Sequence, residues 1–146
     1  MFRKLTKLPT SPISPKMNLN FISSQIIQAA ITIHKNLGPG LLESVYQKCM
    51  VIELENMGVN VESEVDLPIF YRDQKITDLG FRIDLLVESA IIVELKSVEA
   101  IKPVHKKQLL TYLRLAKKDL GLLINFNEVL LKQGISRITN APLSEE

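Results

Sequence analysis

At 146 residues and 46% hydrophobic, the chain fits one globular domain with an adequate core, and no apolar run approaches the roughly 20 residues of a membrane span. The net charge of +2 is unevenly placed: Arg3, Lys4, Lys7 and Lys16 precede Met17 and no acid does, so the remainder carries 14 bases against 16 acids. That excludes a strongly basic nucleic-acid binder and confines any such contact to a local patch, a partner or an oligomer.

Residues 1–16 hold Pro9, Pro12 and Pro15 among Ser, Thr and Lys, which predicts a disordered tail and no signal peptide, with Met17 a candidate for the biological start. A helix is predicted from Asn20 as N-cap, with Ile22, Ile26, Ala29, Ala30 and Ile33 as its apolar stripe. His34 and Lys35 close it before the break Leu37-Gly38-Pro39-Gly40. His34 reads first as a cation favoured by the helix C-terminus, with a functional role as the other reading.

A second helix is predicted over 41–57, ended by Gly58, with Leu42, Val45, Tyr46, Cys49, Met50 and Leu54 as its buried face. Cys49 therefore reads as a buried thiol. Being single, it excludes an intrachain disulfide or a cysteine zinc site and suits a reducing cytoplasm. Glu43 lies on or beside that face, either as a first-turn acid at the helix N-terminus or as a carboxylate lent to a site.

Residues 59–65 and 67–71 read as strands, with Arg72-Asp73-Gln74-Lys75 as a turn and 76–79 leading into a hairpin. That hairpin, 80–98, is two apolar β-branched runs parted by Glu88-Ser89, and Asp84, Glu94 and Lys96 lie inside them. Glu94 and Lys96 point one way, Val93, Leu95 and Ser97 the other. With a three-residue loop, 88–90, Val87 faces Ile91, Leu86 faces Ile92, and Asp84 comes opposite Glu94. A two-residue loop would put the two carboxylates on opposite faces. In the first register they lie roughly 5 Å apart, destabilising unless a cation sits between them. A divalent metal with Lys96 beside it meets that need. Glu-Leu-Lys alone is a weak signal, and a solvated strand face also carries such charges. The convergence of three charges in an apolar hairpin raises the functional reading.

Pro103 opens a helix running to about 117. His105, Gln108 and Tyr112 share one face, Leu109, Leu113 and Ala116 form the core, and Lys107, Arg114 and Lys118 line an edge. That edge is either a solvated helix face or a phosphate-contacting ridge. Residues 120–126, broken only by Gly121 and Asn125, read as a buried central strand, 134–139 as an edge strand, and 141–146 as a frayed end.

Helix Glu43, strand Asp84, strand Glu94-Leu95-Lys96 and helix Gln108-Leu-Leu-Thr-Tyr112 together resemble the PD-(D/E)XK nuclease superfamily, and are similar to its RecB-like exonuclease branch. Gly40-Leu-Leu-Glu43-Ser-Val-Tyr46 resembles the pattern that names the GxxExxY family within it. The resemblance covers 18–140. It implies a single α/β domain over 17–140, a mixed central sheet flanked by helices with a restriction-endonuclease-like αβββαβ core. It implies Mg²⁺ or Mn²⁺ on Asp84, Glu94 and the Leu95 carbonyl, with Glu43 a further ligand. Lys96 would orient or deprotonate the attacking water. Gln108 and Tyr112 would steady the site and contact substrate; beside what the resemblance implies, Lys107, Arg114 and His105 are candidates for substrate contact from their places on the helix. Ile83 stands where the family name has proline. The implied substrate is nucleic acid, DNA ahead of RNA, with no membrane and with a homodimer or protein partner as a further expectation. A module that keeps the fold and acts only through partners is the competing reading.

Overall fold

A computed structural model describes residues 15–76 and 81–140. The predicted tail up to residue 14, the lead-in 77–79 and the end 141–146 lie outside these.

Helix α1 spans Pro15–Leu37 and α2 Glu43–Asn56. Strand β1 (Val61–Leu67) follows, then a small ribbon of β2 (Phe70–Tyr71) and β3 (Gln74–Lys75), then β4 (Phe81–Val87) and β5 (Ile91–Lys96). Helix α3 (Pro103–Ala116) crosses to β6 (Leu120–Asn125), and a 3₁₀ turn leads to β7 (Ile135–Thr139). The main sheet has the order β1-β4-β5-β6-β7 and is antiparallel except for β5 beside β6. Only that parallel pair needs a long crossover, and α3 supplies it. From α2 onward, the elements follow the expected αβββαβ order with the ribbon inserted.

Two apolar layers hold the sheet. Ile22, Ile26, Ala29, Ala30 and Ile33 of α1, with Tyr46, Met50 and Leu54 of α2, pack on Leu85, Val87, Ile91, Val93, Leu95, Leu122 and Ile124. On the other face, Leu109, Tyr112 and Leu113 of α3 pack on Leu67, Ile83, Ile92 and Leu123. Strand β6, covered on both faces, is buried throughout.

Several elements differ from expectation. Helix α1 begins five residues before Asn20, which caps nothing: its Oδ1 accepts from Arg137 Nη2 at 3.0 Å and ties the helix to β7. Leu42, the N-cap of α2, is 73% exposed and Val45 within the helix is exposed too, because the buried face of α2 begins at Tyr46. The expected turn 72–75 is shorter, since Gln74 and Lys75 pair with Tyr71 and Phe70. Lys118 lies beyond the end of α3, past the left-handed Lys117 (φ 58°), so the basic edge on the helix ends at Arg114.

One distortion matters for the site. Odd-numbered residues Val61, Leu85 and Val87 face α1 and α2, yet Val65, Leu67 and Ile83 face α3. The strands β1 and β4 therefore turn over between Ser63 and Val65 and between Ile83 and Leu85. The pairing lapses at Glu64 and Asp84, and Glu64 sits at φ 53°, a left-handed conformation costing about 1–2 kcal/mol for a side-chain-bearing residue.

Two glycines permit close approach. A Cβ at Gly121 would lie 2.9 Å from Leu109 Cδ1, and Leu109 is itself fully buried; one at Gly134 would lie 2.5 Å from the Asn125 carbonyl oxygen. Gly121→Ala is expected to lower stability by roughly 1–3 kcal/mol in urea unfolding, and Gly134→Ala by more, because backbone yields less readily than a side chain. Unchanged midpoints in both would refute this packing.

Candidate metal centre

The three-residue loop of the β4–β5 hairpin sets the register. Glu88 and Ser89 are left-handed, Ala90 N–H donates to the Val87 carbonyl at 3.0 Å, and the pairs Val87–Ile91, Leu86–Ile92 and Leu85–Val93 follow. By that register Asp84 comes opposite Glu94, as expected, but the main-chain ladder stops at Leu85–Val93. The two carboxylates take over. Asp84 N–H donates to Glu94 Oε2 at 3.1 Å, and Leu95 N–H donates to Asp84 Oδ2 at 2.8 Å. Each acid thus clasps the backbone of the other strand with one oxygen. Among the described residues, Asp84 Oδ1 and Glu94 Oε1 accept no hydrogen bond and remain for a ligand.

The clasp is electrostatically strained. Glu94 is 8% exposed, and burial, with the Asp84 charge adding to it, pushes its carboxyl up to about 8. The Asp84 N–H bond and Lys96 oppose that rise. The Asp84 carboxyl is also raised, first by burial, while the Leu95 N–H and Lys96 hold it down and Glu43 and Glu64 push it up. Two facing carboxylates of this kind need positive charge to ionise together. Two hard oxygens, with a main-chain carbonyl one residue away, suit Mg²⁺ or Mn²⁺, which take few protein ligands and keep waters or phosphate oxygens. The donor set fits the expected metal. Among the described residues, no three His, Cys, Asp or Glu side chains converge to hold an ion, so Asp84 and Glu94 form a pair and not a cage.

Lys96 is the last residue of β5, half-buried, and its charge favours ionisation of both carboxyls. Among the described residues it makes no ion pair. Tyr112 enters from α3, buried, with its hydroxyl pushed up to about 12 by burial and by the charges of Glu94 and Asp84. It stays a neutral donor at any working pH. Gln108 lies one turn earlier and exposed. His105 is drawn into capping α3: its Nδ1 accepts from Lys102 N–H at 3.0 Å, which leaves Nε2 outside the cap. Lys107 and Arg114 are exposed along α3.

Glu43 is placed beside the pair, close enough to act on both acids, but it spends Oε2 on Ser97 N–H at 3.1 Å. The motif around it has a physical basis. Gly40 turns the chain at φ 101°, Glu43 starts α2, and Tyr46 stacks on Phe126 at 4.3 Å. The Tyr46 hydroxyl donates to the Gly38 carbonyl at 2.6 Å and accepts from Leu41 N–H at 3.1 Å. Ser97 Oγ donates to the Leu41 carbonyl at 2.6 Å, so the loop, the helix start and the end of β5 are locked together.

Sequence reasoning did not single out Asn125, Ser97 or Glu64 for the site. Asn125 is fully buried; its Oδ1 accepts from Val98 and Asn127 N–H, and its Nδ2 donates to the Val98 carbonyl. A lone amide in an otherwise apolar strand was the available signal. His34, half-buried, donates from Nε2 to the Glu128 carbonyl at 2.7 Å and is a cross-link between α1 and the segment after β6.

The family relationship agrees with this geometry. The family model of the PD-(D/E)XK nuclease superfamily matches residues 20–138. The chain belongs to that superfamily, whose members are generally nucleases. A search of curated proteins finds no match. Among the described residues no helix is long and apolar enough to cross a membrane.

Two outcomes are expected. A carboxyl raised in the fold gives stability that is full below its unfolded value of 4.5 and is lost as pH rises through about 8. With metal chelated, Glu94→Gln should therefore melt above wild type by about 5 °C or more at pH 8, the gap closing toward pH 4.5. A gap that widens on acidification would contradict the strained pair. Asn125→Ala, which removes the partner of three part-buried main-chain groups, should lower stability by about 1 kcal/mol or more in urea unfolding; an unchanged midpoint would remove its bracing role.

Proposed function

We propose that the protein is a divalent-metal-dependent nuclease that hydrolyses phosphodiester bonds at the Asp84–Glu94 pair. The observation that carries this is the reciprocal clasp of the buried Glu94 and the half-buried Asp84, each with an oxygen to spare, with Leu95 and Lys96 directly following Glu94 on β5. Asp84, Glu94 and the Leu95 carbonyl would hold Mg²⁺ or Mn²⁺, and Glu43 would act through Ser97 and as a nearby negative charge. When bound, such an ion neutralises charge on the scissile phosphate and acidifies water.

The chain's own groups do the rest. Lys96 Nζ holds the attacking water and bears positive charge beside the phosphate as negative charge grows there. The Tyr112 hydroxyl, kept protonated, donates to a phosphate oxygen. Gln108, the His105 Nε2, and the exposed Lys107 and Arg114 lie along α3 for contacts to the strand. The Gly40-to-Tyr46 motif supports a place near the GxxExxY proteins of the RecB-like branch, and that likeness favours DNA over RNA. The lone Cys49 supports a reducing, cytoplasmic setting.

With Mg²⁺ or Mn²⁺, wild type is expected to cleave at least one of single-stranded DNA, duplex DNA or RNA. Glu94→Ala and Lys96→Ala should each cut turnover about 100-fold or more while keeping a cooperative melt. Cleavage persisting undiminished in both variants would sink the assignment.

A further inference from the structure

The β2–β3 ribbon leaves the sheet where Leu67 and Phe81 face each other across β1 and β4, so it is rooted three residues from Asp84. The root touches the site. The Phe81 ring lies 5.5 Å from that of Tyr112, whose hydroxyl feels the charges of Glu94 and Asp84.

The ribbon itself is unusual. Phe70 pairs with Lys75 and Tyr71 with Gln74, and the connecting Arg72 and Asp73 both hold left-handed backbones at φ 50° and 63°. Successive side chains alternate, so Phe70 and Tyr71 stand on opposite faces. Neither face is covered: Phe70 is 58% exposed and Tyr71 64%. A two-stranded ribbon with no buried face gains little of its own to stabilise it. Two open aromatics here do not serve the core.

Their companions indicate what they do serve. The Arg72 guanidinium stands 5.8 Å from the centre of the Tyr71 ring, and Lys75 is opposite Phe70. Flat rings, each with a cation at hand, complement a ligand that offers flat π faces joined by negative charges. Nucleotides have that pattern; an acidic peptide would satisfy the cations and leave the rings open.

We propose that the β2–β3 ribbon is a stacking arm for unpaired nucleobases, holding single-stranded nucleic acid beside the carboxylate pair. The inference rests on the nuclease reading and deepens it by naming the substrate class. Bases inside a duplex have both π faces occupied, so an arm of this kind engages single strands, gaps or frayed ends. Arg72 and Lys75 take the flanking phosphates.

The chain has no tryptophan, so Tyr71→Trp installs a single fluorophore on the arm. In a Lys96→Ala background with Mg²⁺, which blocks turnover, oligothymidylate should quench that fluorescence saturably. An abasic oligomer of equal length and a hairpin-capped duplex should not. Phe70→Ala/Tyr71→Ala, both changes on exposed positions, should weaken oligothymidylate binding by anisotropy roughly 10-fold or more. Fluorescence unmoved by oligothymidylate, or abasic oligomer bound as tightly, would overturn the arm, as would loss of a dimer in the double variant without quenching. Cleavage by wild type reports separately: cleavage alongside a silent indole on the arm keeps the nuclease and removes the arm. Quenching without cleavage keeps the arm and removes the hydrolysis.

Discussion

The structure depends on the way Asp84 and Glu94 finish a hairpin that main-chain hydrogen bonds do not. Regular pairing stops at Leu85–Val93, and from there each strand is held by the other's carboxylate. This solves a main-chain problem, two part-buried amides without carbonyl partners, by creating an electrostatic one, two acids that share a poorly solvated space. Lys96 relieves part of it. A divalent ion would relieve the rest, which makes the pair a poor structural device and a good binding one.

The surroundings support that arrangement. Glu64 accepts a left-handed backbone opposite Asp84, and both strands turn over at that level. The end of β5 is gripped on one side by Glu43 and Leu41 through Ser97, and on the other by Asn125 through Val98. Tyr46, stacked on Phe126, fixes the loop from which Glu43 starts. Strain at Glu64 and a clasp of acids can persist because packed layers on both faces over-determine the strands between them.

Much of this is legible in the residues, and the reasons differ by element. The hairpin itself is plain from its two apolar runs, but its register is not. Both runs are apolar on both faces, so the pattern leaves two- and three-residue loops open, and the left-handed Glu88 and Ser89 with the Ala90–Val87 hydrogen bond decide it. Strand β6 is plain from its unbroken apolar run. Helical spacing misplaces Leu42 and Val45 at the start of α2, since it assigns a face without telling where along its length the helix meets the sheet. Asn20 looks like a cap because an amide before an apolar stripe usually is one; its tie to Arg137 is a long-range contact that no local pattern encodes. The acids at 84 and 94 stand out as charges in apolar runs. Their reciprocal bonding to backbone cannot be foreseen, because it arises only where the ladder fails. The ribbon at 70–75 is half hidden for a similar reason, its second strand being two residues long.

A nuclease centre at this hairpin requires that the clasped carboxylates bind a divalent ion. The most direct measurement is calorimetric titration of Mn²⁺ into wild type and Asp84→Ala near neutral pH, in two buffers of different ionisation enthalpy. Saturable binding by wild type is predicted, with proton release as the ion displaces the proton held by the pair, and its loss in the variant. No binding by wild type, with or without a non-cleavable oligonucleotide, or equal binding by Asp84→Ala, would contradict it.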